Sequence, residues 1–277
     1  MKRSLLLLLF IIVCFSPVTH SQVLTRAQID DTIASIPSFS IHKNNYFITG
    51  VPVNEEISKQ TADVKYQISF KQLLTRKTLP WDSYLFLTYT QTAFWNVYAK
   101  SSPFAEINFN PGIGLGKPLY NKDDKLVAMG YLQYEHESNG RDSIYSRSWN
   151  RLSLSFEAAL NSRTTLRVKG WFPFRYKKDN PEILDYLGLG EVNLSYQLEP
   201  KKWIFDVQLQ KGLKDWYGSV RAQLFYNLFK MSNQYLMLEW YNGYGESLIS
   251  FKEFRSMIRI GYVIRSNNLN FFEFSSK

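Results

Sequence analysis

Glu191-Val-Asn-Leu-Ser-Tyr-Gln-Leu198 puts Val192, Leu194, Tyr196 and Leu198 on one parity and Glu191, Asn193, Ser195 and Gln197 on the other. An extended strand sends successive side chains to opposite faces, so this octet has one apolar and one polar face. The same alternation recurs along the chain. Between Arg163 and Tyr176, Leu166, Val168, Gly170, Phe172 and Phe174 oppose Thr165, Arg167 and Lys169. Gly218, Val220, Ala222, Leu224, Tyr226 and Leu228 oppose Arg221 and Gln223, and Phe254, Ile258, Ile260, Tyr262 and Ile264 oppose Arg255 and Arg259. Each run is roughly ten residues long, the length of a tilted membrane strand. Turn-like clusters such as Asn121-Lys-Asp-Asp124, Glu199-Pro-Lys-Lys202 and Ser266-Asn-Asn268 separate them.

This is the pattern of an all-β transmembrane antiparallel β-barrel with an apolar outer face and a polar interior. About eleven runs can be counted, and a closed bacterial barrel has an even number, which predicts about 12 strands. Tyr46 to Thr49, or the tail from Asn270 to Phe274, supplies the last one. A soluble β-sandwich also alternates, but it explains neither the export signal nor the Tyr and Trp residues near the ends of the runs.

That signal is at the N-terminus, where Lys2 and Arg3 precede an apolar run from Leu5 to Phe15, followed by Pro17 and Thr19-His20-Ser21. It reads as a secretory signal peptide over 1–21, too short to span a bilayer as a helix. The one cysteine, Cys14, leaves with it, so neither a disulfide framework nor a thiolate metal site is available. Removal of Lys2 and Arg3 lowers the formal charge of +9 to +7 and leaves His42 and His136 as the only histidines. A two-histidine zinc motif is therefore not expected. The basic balance suits anionic lipid headgroups or lipopolysaccharide phosphates as well as plain solubility, and no nucleic-acid partner is read from it. Aromatic residues make up 16% of the chain, yet no later stretch approaches the ~20 apolar residues of a membrane helix. Residues 22–60 read as a less regular N-terminal arm and 61–277 as the barrel domain.

One stretch carries chemistry. Tyr134-Glu-His-Glu-Ser-Asn-Gly-Arg-Asp-Ser-Ile-Tyr-Ser-Arg-Ser-Trp-Asn-Arg151 sets His136 two residues before Ser138, on one strand face. A second strand beginning near Ser148 brings Asn150 alongside as the orienting group that a Ser-His pair requires. His136 and Ser138 continue the parity of Leu126, Ala128, Gly130, Leu132 and Tyr134. Asn150 shares that of Leu152, Leu154, Phe156, Ala158 and Leu160. All three polar groups are thus expected on the lipid-facing wall, where polar groups are costly unless mutually bonded. Glu135 and Glu137 point the other way, as interior or rim charges. In the expected chemistry His136 takes the Ser138 proton, Ser138 Oγ attacks an ester carbonyl, and Asn150 holds the imidazole. A plain polar rim is the bland alternative.

The block His136-x-Ser138-Asn-Gly140-Arg141, followed by Ser146-Arg-Ser-Trp-Asn150-Arg151, closely resembles the outer-membrane phospholipase A family. Tyr89-Thr-Gln91, Ser101-Ser-Pro-Phe104, Asp179-Asn-Pro181 and Gly243-Tyr-Gly-Glu-Ser-Leu248 are further landmarks in the same order, over roughly residues 60 to 265. The resemblance implies a twelve-stranded barrel in the outer membrane of a Gram-negative-type bacterium. It would hydrolyse sn-1 and sn-2 acyl esters of phospholipids, and lysophospholipids, with Ca2+ as cofactor and homodimerisation as the activating step. It assigns Ser138 as nucleophile, His136 as base, Asn150 as orienter and the Gly140 amide to the oxyanion. It gives calcium the Arg141 carbonyl, the Ser146 hydroxyl and the Ser101 carbonyl of the partner subunit, all oxygen donors. Gln91 would lie at the dimer interface. The family's acidic residue two places after the motif arginine is Ser143 here, with Asp142 beside it, which puts in doubt a secondary calcium site that would use Asp179. A barrel esterase acting on lipid A and a non-enzymatic small-pore barrel are the other readings.

Overall fold

The computed structural model describes residues 24–76, 78–228 and 233–265. The signal segment 1–21, the turn from Ser266 to Asn268 and the tail from Asn270 to Phe274 lie outside them. The chain runs through helix α1 (Arg26–Ser35) and strands β1 (Phe39–Ile41), β2 (Asn45–Pro52), β3 (Asp63–Leu73), β4 (Tyr84–Trp95), β5 (Phe104–Tyr120), β6 (Leu126–Ser138), β7 (Ser148–Asn161) and β8 (Thr164–Phe174). A short helix α2 (Ile183–Leu187) leads to β9 (Gly190–Glu199), β10 (Trp203–Lys211), β11 (Gly218–Tyr226), β12 (Gln234–Gly243) and β13 (Arg255–Ile264).

From β2 to β13 each strand pairs antiparallel with the next, and β13 returns to β2 from Met257↔Pro52 to Ile264↔Asn45. The ring therefore closes with twelve strands and no free edge, as a barrel in hydrocarbon requires. The closing strand contains Tyr46 to Thr49, so part of the expected 22–60 arm belongs to the wall. The extra strand β1 lies along β3 beyond the end of β2, with Phe39↔Gln72 and Ile41↔Phe70.

The alternation read from the sequence faces outward as expected at Leu152, Leu154, Phe156, Val168, Phe172, Val192, Leu198, Ile258 and Ile260, all exposed. Leu126 is a correction. Its alternation places it on the outer face, but it is buried inside against Ile29 and Ile33 of α1. Leu119 and Tyr120 pair with Ala128 and Leu126, so the ladder skips Val127 and the parity of β6 flips there.

The interior is filled by charged side chains. Lys65 Nζ is 2.9 Å from Glu239 and 3.0 Å from Glu246, and Arg259 donates to both Asp63 oxygens at 2.7 Å and to Glu246 at 2.7 Å. A second network joins Glu135 to Lys169 at 2.7 Å and to Ser153 at 2.6 Å, with Arg151 2.9 Å from Glu137. Taking such ions from water costs several kcal/mol each and is offset by the partners these networks supply, although Arg151 Nε is buried without a hydrogen-bond partner among the described residues.

Each end carries its own covering segment. α1 covers the end with the short turns 121–125, 162–163 and 200–202, packing Ile29 and Ile33 on Leu73, Tyr84, Phe86 and Met129. Arg76 donates to the Ile33 and Ile36 carbonyls, satisfying the last turn of α1. At the other end the longer connections 139–147, 175–189 and 244–254 gather. Glu246 reaches inward from the last of these, and Leu248 N donates to Asn108. Short turns mark the periplasmic side and long loops the extracellular side.

The Glu246 carboxyl lies on that loop, beyond the strands. Burial alone would raise its pKa, but Arg259 and Lys65 hold it down at about 2, against an ordinary value of 4.5. Its stabilising contribution is therefore complete above pH 4.5 and disappears as the pH falls towards 2. Glu246→Gln is expected to destabilise the barrel by about 3 kcal/mol at pH 7, since it strips one partner from a buried ionic set. Thermal unfolding in detergent across pH 7 to 2 should show a lower midpoint for the variant and a shallower acid limb than for the parent.

Candidate active site on the outer wall

The β6–β7 register sets His136 opposite Asn150 and Ser138 opposite Ser148, and the β7–β8 register sets Asn150 opposite Phe174. His136, Asn150 and Phe174 thus form one row across three strands near their extracellular ends. Asn150 is buried, and its Oδ1 lies 3.0 Å from His136 Nδ1. Tyr134, two residues before His136 on the same face, donates its hydroxyl to the same Oδ1 at 2.8 Å. His136 Nδ1 donates to the same oxygen in the tautomer that carries its proton on Nδ1. In that tautomer His136 Nε2 carries a lone pair and is an acceptor. The Tyr134 ring is held in turn by Phe174, its centroid 5.9 Å away.

Ser138 is half-buried, two places further along the strand. Among the described residues its hydroxyl makes no hydrogen bond. In free enzymes such catalytic contacts are often loose and tighten in the substrate complex. Glu135 and Glu137 turn inward as parity requires, Glu135 to Lys169 and Glu137 to Arg151 and to Trp149 Nε1 at 3.1 Å.

Loop 139–147 is held by Asn139, a residue the sequence reading left without a role. Its Nδ2 donates to Tyr145 O at 2.9 Å, its Oδ1 accepts from Arg147 N at 3.0 Å and Arg141 N at 3.3 Å, and its own N–H donates to Arg147 O at 3.0 Å. Gly140 follows with φ +66°, and a Cβ there would meet the Phe109 ring at 3.0 Å, so both backbone and space call for glycine. Among the described residues nothing accepts from the Gly140 amide, and nothing donates to the Arg141 carbonyl or the Ser146 hydroxyl. The Arg141 side chain is turned to the Ala105 carbonyl and to Glu106, 3.4 Å away, tying the loop to β5.

Ser101 lies on the separate loop 96–103, exposed and with φ +63°. Asp179 is engaged by the Ser148 hydroxyl at 2.8 Å. No cluster of three or more His, Cys, Asp or Glu suited to a metal occurs among the described residues. The free oxygens of Arg141 and Ser146 match calcium in type, but two neutral donors fall short of the six to eight it takes. An open cleft of about 780 Å3 runs along the row, lined by His136, Ser148, Asn150, Phe174 and the segment from Arg175 to Asp179.

The family model for Phospholipase A1 matches residues 31–264. A relative from Neisseria meningitidis serogroup B is 30% identical over 225 residues, which is 76% of this chain and 57% of that protein. The phospholipase A1 of Escherichia coli K12 is 33% identical over 208 residues, 73% of this chain and 69% of that protein. The chain thus spans a little over half of the first and about two thirds of the second. The crystal structure of the Salmonella typhi outer membrane phospholipase dimer with bound calcium superposes with a TM-score of 0.75 and 27% identity, over 86% of this chain and 97% of that one. The family match, the identities and the shared barrel agree: this chain belongs to the phospholipase A1 family.

Proposed function

We propose that this protein is a calcium-dependent outer-membrane phospholipase that hydrolyses sn-1 and sn-2 acyl esters of phospholipids and lysophospholipids and is activated by homodimerisation. The observation that carries the reading is the pair of hydrogen bonds from His136 and Tyr134 to Asn150 on the wall that faces acyl chains. A pore would keep its polar function inside, and this interior is filled by ion pairs.

His136 Nε2 takes the Ser138 hydroxyl proton as Oγ attacks the ester carbonyl, and returns it to the departing glycerol oxygen. Asn150 keeps the imidazole in the tautomer that leaves Nε2 basic. Being neutral, it stabilises the imidazolium less than a carboxylate would. The Gly140 amide, with no other acceptor among the described residues, is available to the oxyanion. Calcium held by the Arg141 carbonyl and Ser146 hydroxyl, with the Ser101 carbonyl of the partner subunit, would supply positive charge beside the same oxyanion. A second copy thereby completes both the metal site and the acyl-chain cleft, which keeps a monomer quiet. Gln91, on the outward parity of β4 and bonded by the Tyr89 hydroxyl at 3.0 Å, offers a polar contact for that interface. Substrate reaches the outward site once phospholipid enters the outer leaflet.

Fatty-acid release from phosphatidylcholine in detergent micelles tests this directly. The parent protein with calcium should be active, and either chelator or Ser138→Ala should lower the rate at least ~1,000-fold. Asn150→Ala should cost less than Ser138→Ala. No release from folded parent protein at any calcium concentration would overturn the hydrolase.

Tyr134→Phe removes one of the two donors on Asn150 and should lower kcat about tenfold with little change in KM. In an Asn150→Ala background the same change should add almost nothing. Equal losses in both backgrounds would mean that Tyr134 acts elsewhere.

A further inference from the structure

The cleft beside His136 has a second kind of chemistry on its outer side. Arg175, Lys177 and Lys178 line it together with His136 and Asn150. All three are exposed, and among the described residues none of them is within ion-pairing distance of a carboxylate. The one acid in the run, Asp179, also lines the cleft and accepts from the Ser148 hydroxyl at 2.8 Å; as a carboxylate it leaves the run net positive, three cations against one anion, and the nearby Glu182 pairs with Lys252.

This basic run is fastened in place. Asn180 is fully buried and donates to the Ser148 carbonyl at 2.7 Å, while its N–H donates to Tyr176 O at 2.8 Å. Tyr176 packs on the cluster of Trp149, Trp171 and Ile183. The run is therefore tied to β7, the strand that carries Asn150. It also begins one residue after Phe174, the partner of Asn150 in the ladder, which sets it outward of the His136–Asn150 row along the strand direction. A phospholipid whose ester lies at Ser138 and whose acyl chains lie along the wall would place its phosphate in that outer zone. Arginine matches phosphate oxygens through its planar fork and lysine as a point charge. A choline or ethanolamine group would bring a fourth cation among these three, whereas a glycerol headgroup would not.

We propose that Arg175, Lys177 and Lys178 form a phosphate-binding headgroup site that selects phospholipids of net negative headgroup charge. The proposal rests on the hydrolase reading for the position of the ester. The test uses the full-length protein in neutral-detergent micelles, with phosphatidylglycerol and phosphatidylcholine of identical acyl chains. The parent should show kcat/KM about tenfold higher on phosphatidylglycerol, mainly through KM, and the preference should vanish near 1 M salt, where screening acts within about 3 Å. The triple variant Arg175→Gln, Lys177→Gln, Lys178→Gln should bring the phosphatidylglycerol value down to that for phosphatidylcholine.

A second readout is independent of turnover. Calorimetric binding of dihexanoylphosphatidylglycerol to the Ser138→Ala protein should be tighter than that of dihexanoylphosphatidylcholine by a similar factor, and the triple change should remove the difference. Equal values for the two lipids in the parent, or a preference that survives the triple change, would overturn the headgroup site. Inorganic phosphate competing as strongly as the lipid would also overturn it, in favour of a free-anion site. A binding preference that is present and lost in the triple variant, in a parent without hydrolysis, would sustain the headgroup site and remove the hydrolase.

Discussion

Hydrocarbon offers no partner to a peptide N–H or C=O, so a wall of strands in a bilayer must pair all its backbone and leave no edge. Here the last condition is met by one ladder, β13 on β2, between segments about two hundred residues apart. Everything else in the molecule relies on that closure. It fixes which parity faces lipid, and so puts the His136–Asn150–Phe174 row on the outside of the barrel rather than inside it. It also lends the site rigid support: the groups that orient His136 stand on paired strands, and only Gly140 and the calcium-type oxygens belong to a loop.

The interior has a different task. Lys65, Asp63, Glu239, Glu246 and Arg259 form a set of ion pairs shielded from solvent, joined from β3, β12, β13 and the loop that follows β12. Such a set contributes little net stability compared with an apolar core, while removing one partner leaves an uncompensated buried charge. At one end α1 packs on β3, β4 and β6, and at the other the 244–254 loop is drawn inward by Glu246. On the proposed function the barrel's chemistry belongs to its surface, where a phospholipid substrate would reside.

Much of this was legible in the sequence because a barrel wall imposes a local rule. Period-two alternation identified the wall, about eleven of its strands and the outward parity of His136, Ser138 and Asn150, since those features depend on neighbours one or two residues apart. The twelfth followed from the even number a closed barrel requires, and the ladder of β13 on β2 places it at Asn45–Pro52. The rule failed at Leu126, where the ladder skips Val127 and turns the side chain inward. It was silent on the interior networks, because Lys65 and Glu239 meet across 174 residues and only topology joins them. Asn139 and Tyr134 were missed for separate reasons. Asn139 reads as the first half of an ordinary Asn-Gly turn, and its four hydrogen bonds are visible only once the loop has closed on itself. Tyr134 shares the parity of His136 and could have been drawn from it, but a tyrosine in an aromatic-rich wall carries no mark of its own.

The central claim is that the hydroxyl of Ser138, on the lipid face, is the nucleophile. It is tested most directly by treating the folded protein with a long-chain alkylsulfonyl fluoride and locating the adduct by mass spectrometry. A single adduct on Ser138 is expected, formed with calcium present and lost in the His136→Ala variant. An adduct on another residue, or no adduct on folded protein with calcium, would contradict it.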